Sequence, residues 1–116
     1  MKPRDKNARL EKALKRLGTR NPSCVACGEA DPLCLELHHI GEKDHHDDLS
    51  IVCRNCHRKL SDPQKDLTEV NQPNPTLETI GRYLHGLAEL FLLIAETLKA
   101  FGNALLGLED ADAVTP

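Results

Sequence analysis

The chain has 116 residues and a formal net charge of −3, with no tryptophan, one tyrosine and two phenylalanines. A chain this short forms one small domain with room for an appended helix, and its scarcity of aromatics leaves the first two-thirds short of core and in need of a staple such as a metal. The N-terminus is charged and lacks the apolar run of a secretory signal, and Glu89, Glu96 and Lys99 interrupt the most apolar stretch, so the expectation is a cytoplasmic chain with no membrane span.

The charge is segregated along the chain. Residues 1–20 carry eight Lys or Arg (Lys2, Arg4, Lys6, Arg9, Lys12, Lys15, Arg16, Arg20) against Asp5 and Glu11, whereas residues 64–116 carry three basic and eight acidic residues. A basic arm on an acidic body suggests contact with a polyanion at one end, and the same arm also fits a plain solvated helix face. Within this arm Asp5 to Leu17 reads as a short helix: Leu10, Ala13, Leu14 and Leu17 share a face and Gly18 is a natural stop.

Asn21 to Pro32 is dense in turn formers and reads as loop. Leu33 to Ile40 alternates as a strand, with Leu33, Leu35 and Leu37 on one face. Gly41 to Asp47 is a polar turn, and Leu49 to Cys53 is a second strand, antiparallel to the first if the loop closes a hairpin. Asn55 to Leu60 starts a helix that is expected to end near Ser61-Asp62-Pro63, and residues 64–75 read as a linker.

The longest element follows. Asn74-Pro75 supplies an N-cap and a first-turn proline. Leu77, Ile80, Leu84, Leu87, Phe91, Ile94, Leu98, Phe101, Leu105 and Leu108 then alternate at spacings of three and four, an a/d heptad pattern. Arg82, Glu89, Glu96, Asn103 and Asp110 fall at the outward f position, and Gly81, Ala88, Ala95 and Gly102 at e. The g positions carry no charge, so small residues at each seventh position favour close antiparallel packing over a parallel zipper. A helix this apolar either self-associates or packs on the rest of the chain. With little apolar surface upstream, self-association through residues 76–108 is the expectation, with an acidic tail at 109–116.

Two C-x2-C pairs, Cys24/Cys27 and Cys53/Cys56, stand 25 residues apart. Each can supply two thiolates from one tight turn, and two such knuckles close a tetrahedral structural zinc site. Gly28 fits the first knuckle turn, and the leftover Cys34 is expected to pack as a small apolar side chain. A zinc saturated by four thiolates does no chemistry. Its consequence is to clamp the start of the hairpin to the start of the following helix, which brings His38 and His39 near His57. His45 and His46 read as exposed loop residues. Adjacent residues on a strand face opposite ways, so His38 and His39 must differ in role.

The combination of C-x2-C, LELHHI, DLSIVC and CRNCHRKL over residues 22–62 resembles the HNH endonuclease family, the zinc-stapled ββα-metal nucleases. The resemblance implies a small α+β fold, with a hairpin plus helix at residues 21–63 flanked by the basic helix of residues 1–20. It implies that His38 and His57 hold a catalytic divalent metal (Mg2+, Mn2+, Ni2+ or Zn2+) and that His39 is the general base. Asp48 stands where the family has its middle Asn, and Ser61 where many relatives have a further His. DNA is the implied partner, with Arg54, Arg58 and Lys59 beside the knuckle and Lys12, Lys15 and Arg16 of the basic helix neutralising phosphate. The rival readings are a non-catalytic zinc ribbon that binds nucleic acid or protein, and an adaptor whose long helix makes the functional contacts.

Overall fold

The computed structural model describes residues 5–108; the expected acidic tail, together with Lys2 and Arg4, lies outside them. In chain order it contains helix α1 (Lys6–Leu17), a single 3-10 turn (Pro32–Cys34), strands β1 (Leu35–His39) and β2 (Leu49–Cys53), and helices α2 (Arg54–Lys65) and α3 (Pro75–Leu106). The Asp5 carboxylate accepts the Asn7 N–H at 2.9 Å and starts α1, and Gly18 ends it at φ 77° with its N–H on Leu14 O. Ala13, Leu14 and Leu17 form the buried face, as the spacing predicts.

The strands pair antiparallel in register from Leu35↔Cys53 to His39↔Leu49. β1 begins two residues later than alternation suggests. Asp31 Oδ1 accepts the Leu33 N–H at 3.0 Å, and with Pro32 fixing φ the segment winds into one helical turn before it can extend. Cys34 in that turn is exposed and its thiol donates to Asp31 Oδ2 at 3.7 Å, so it does not pack as an apolar side chain.

Helix α2 overruns its expected end and carries Pro63 inside it. A proline near a helix C-terminus forfeits a single backbone bond, and tertiary contact offsets that loss. Gln64 in the last turn reaches the carbonyls of His39 and Ile40, each at 3.4 Å. The supposed linker therefore starts as helix.

Helix α3 starts as expected, with Asn74 Oδ1 accepting the N–H groups of Thr76 and Leu77 ahead of Pro75. Its packing differs from the heptad reading. Arg82, Gly86, Leu90 and Leu93 are its buried residues, a face made of the f, c and g positions. Leu90 and Leu93 join Leu17, Leu35, Val52 and Leu60 in the core. Arg82, expected outside, is 8 % exposed and binds Glu42 at 2.9 Å, Glu78 at 3.0 Å and Leu67 O at 3.0 Å. The helix thus packs on the chain itself. Most of the a/d stripe, from Leu77 to Leu108, stays exposed. Among the described residues no helix is long and apolar enough to cross a membrane.

Candidate metal centre and histidine pair

The thiols of Cys24, Cys27, Cys53 and Cys56 lie within 4.8 Å of one another. Local backbone builds each half. Cys27 N–H points at Cys24 Sγ and Cys56 N–H at Cys53 Sγ, both at 3.4 Å, while Gly28 takes φ 85° and returns its N–H to Cys24 O. Val25 N–H donates to Ile51 O at 3.0 Å, which ties the first knuckle to β2 beside the second. Burial pushes Cys24 up, but the N–H groups of Cys53, Cys27 and Ala26 outweigh it and bring the thiol down to about 7. Burial first, and then the neighbouring thiols, push Cys56 and Cys27 up. Without a cation the cluster favours the thiolate at Cys24 and disfavours it at Cys27 and Cys56. A structural zinc ion relieves that repulsion, and the four-thiol donor set fits it.

The register divides the hairpin into two faces. Glu36, His38 and Asp48 share a face with Val52 and Ser50, and Leu35, Leu37 and His39 lie on the other. The first face meets α2. His38 is 2 % exposed, and its ring centroid is 5.2 Å from that of His57. His57 Nδ1 bonds to Glu36 Oε1 at 3.0 Å, and Arg54 Nε holds the other Glu36 oxygen at 3.7 Å. In the neutral ring, with Nδ1–H donating to Glu36, His57 Nε2 would carry the lone pair. His38 Nε2 is buried with no hydrogen-bond partner. Burial first, and then the neighbouring His57 and His39, lower the His38 pKa to about 4, so the ring is neutral at pH 7.

His39 lies on the opposite strand face and is half-buried, with its carbonyl taken by Gln64. The Asp48 carboxylate accepts the Tyr83 hydroxyl of α3 at 2.9 Å. His46 is half-buried rather than exposed: its ring tilts on Tyr83 at 4.5 Å and its Nε2 donates to Thr79 O at 3.0 Å. Ser61 is half-buried. The basic side chains Arg54, Arg58 and Lys59 on α2, and Lys12, Lys15 and Arg16 on α1, belong to exposed residues; Arg16 also donates to Leu35 O at 3.0 Å. Arg20 is engaged by Glu11 through two bonds of 2.7 and 2.9 Å.

Sequence reasoning missed Glu36, which was visible as the residue two before His38 on the same strand face. It also missed Tyr83 and Arg82, which heptad assignment had set on the flank and outside of a self-associating helix. No family model, curated protein or solved structure matches the chain.

Proposed function

We propose that the chain is a divalent-cation-dependent endonuclease of the HNH type. The observation that carries the reading is the buried, partnerless Nε2 of His38 beside His57, whose other ring nitrogen is already anchored by Glu36. A buried imidazole nitrogen without a partner is costly, and a cation there would satisfy it. The donors fit Mg2+, Mn2+, Ni2+ or Zn2+ supplemented by water. When bound, such a cation stabilises negative charge on a phosphate and on the departing oxygen.

The chain's own residues divide the remaining work. His38 and His57 hold the cation, and Glu36 fixes the tautomer of His57. His39 takes the proton of the attacking water as general base. The water oxygen bonds to phosphorus, the bond to the 3′ oxygen breaks, and that oxygen leaves with a solvent proton, giving 5′ phosphate and 3′ hydroxyl ends. The four-cysteine zinc clamps the hairpin to α2. Arg54, Arg58 and Lys59, with Lys12, Lys15 and Arg16, neutralise DNA phosphate without reading sequence. A second copy covers the exposed apolar stripe of α3, and the resulting homo-oligomer brings two sites to one duplex.

One observation favours a second reading, a catalytically inactive zinc module that binds nucleic acid or protein. The Asp48 carboxylate, at the position of the family's Asn, is held by Tyr83. Incubation of supercoiled plasmid with Mg2+, Mn2+ or Ni2+ separates the two. The wild type is expected to nick it, and His39→Ala to lower the rate at least 100-fold with zinc content unchanged. Absence of nicking with every metal, zinc still bound, leaves the binding module.

A further inference from the structure

Among the described residues two buried side-chain polar atoms have no hydrogen-bond partner, His38 Nε2 and Ser50 Oγ. They are neighbours. His38 and Ser50 oppose each other in the hairpin register, so both project from one face with Cβ atoms about 5 Å apart. The His57 ring, 5.2 Å from that of His38, meets the same face. A strand position that only packed would be better served by valine or alanine, because a buried hydroxyl without a partner disfavours folding. Two adjacent orphans beside a third nitrogen-bearing ring therefore mark a place suited to a polar ligand.

We propose that Ser50 is a positioning residue of the cation site, its hydroxyl holding a water of the hydrated divalent cation carried by His38 and His57. This rests on the cation-site reading above and adds a residue to it. Reach decides the form of the contact. Ser50 Oγ is one bond from its Cβ, while His38 Nε2 stands at the far side of an imidazole ring. A cation beyond that nitrogen is too distant for the short serine side chain and within reach through one water. A site with two imidazole ligands must fill its other positions with water, and such waters need protein partners to be ordered. Ser50 already lies on this hairpin face with its hydroxyl unspent.

The test is titration of the full-length, zinc-loaded protein with Mn2+, a hard cation that does not displace zinc from thiolates. Wild type is expected to bind one Mn2+. Ser50→Ala should weaken it about 10- to 100-fold, the usual effect of losing a group that orients a metal's surroundings. Ser50→Thr, which keeps the hydroxyl, should restore binding. Melting without Mn2+ gives an independent readout: Ser50→Ala should be at least as stable as wild type, because the hydroxyl makes no bond within the protein. Equal Mn2+ affinity in Ser50→Ala and wild type overturns the proposal, and so does a lower melting temperature of Ser50→Ala in the absence of Mn2+. His38→Leu separates the two levels. If it abolishes Mn2+ binding while Ser50→Ala does not, only the role of Ser50 falls. If wild type itself takes up no Mn2+, the histidine site and Ser50 fall together.

Discussion

His38 combines near-complete burial with a titratable ring, and this makes it a source of acid sensitivity. Its ordinary pKa of 6.5 falls to about 4 in the folded protein, first through burial. Above pH 6.5 both folded and unfolded chains hold it neutral and it contributes no pH dependence. As pH falls from 6.5 to 4 the unfolded chain takes up a proton that the folded one refuses, so folded stability drops by up to about 3 kcal/mol. Without added divalent cation, His38→Leu is expected to lack this term. Chemical denaturation of both proteins at several pH values, over the range where zinc stays bound, checks it. The stability of the variant relative to wild type should rise as the solution is acidified, and parallel curves would refute the assignment. The placement of the histidine pair was half legible in the sequence. Strand alternation alone requires that His38 and His39 face opposite ways. Which of them is enclosed depends on α2 covering one face of the hairpin, and Glu36 becomes a partner of His57 only through that same contact.

Helix α3 shows how periodicity can identify an element and misjudge its contacts. A 32-residue helix with a continuous a/d stripe is forecast correctly in position and capping. Its buried side is nevertheless set by Gly86 and Arg82. A Cβ at Gly86 would lie 1.6 Å from Ile40 O, so the missing side chain is what lets α3 rest against the end of the hairpin. Gly86→Ala is therefore expected to force the helix away and to cost about 3 kcal/mol, with Leu90 and Leu93 pulled from the core. Gly81→Ala is the contrast. A Cβ there meets nothing within 4 Å, and at monomeric concentration the change should add about 1 kcal/mol through helix propensity alone. Thermal denaturation of the two variants gives opposite signs if this packing is correct. The heptad pattern could not reveal it, because glycine carries no hydrophobic signal and Arg82 reads as surface until Glu42 and Glu78 are placed around it.

At the scale of the molecule, two features carry predictions about folding and assembly. The first is the four-cysteine cluster. Cys24, Cys53 and Cys56 sit inside the core cluster alongside Leu35, Val52 and Leu60, with Cys27 at its exposed edge, so a metal held there would reinforce the hydrophobic packing. Chelation, or Cys56→Ser, is expected to unfold the hairpin and α2 together, seen as lost helical circular dichroism with zinc release. A stable, folded apo-protein would contradict this. The second is the uncovered stripe of α3. At 1.5 Å per residue a helix of 32 residues is about 48 Å long, and its outer side exposes Leu84, Phe91, Leu98 and Phe101, each at 60 % or more. The radius of gyration of 17.3 Å exceeds the roughly 13 Å of a compact domain near this size, consistent with a helix that extends past its support. Replacing Leu98 and Phe101 by Glu should leave zinc content and core unchanged and convert an oligomer to a monomer in light scattering. A monomeric wild type at tens of micromolar would end the homo-oligomer reading.

The sequence by itself determined the order of helices and hairpin, though not every boundary, and the four-cysteine cluster. Caps, heptad spacing and the two C-x2-C pairs are local signals, and local chemistry is sufficient to specify them. It left open which faces meet, because that depends on features with no periodic signature: a glycine that permits close approach and an arginine made internal by two glutamates. Tertiary structure decided those. It turned α3 onto its f, c and g face, gave Asp48 to Tyr83, and brought the buried His38 ring to 5.2 Å from that of His57.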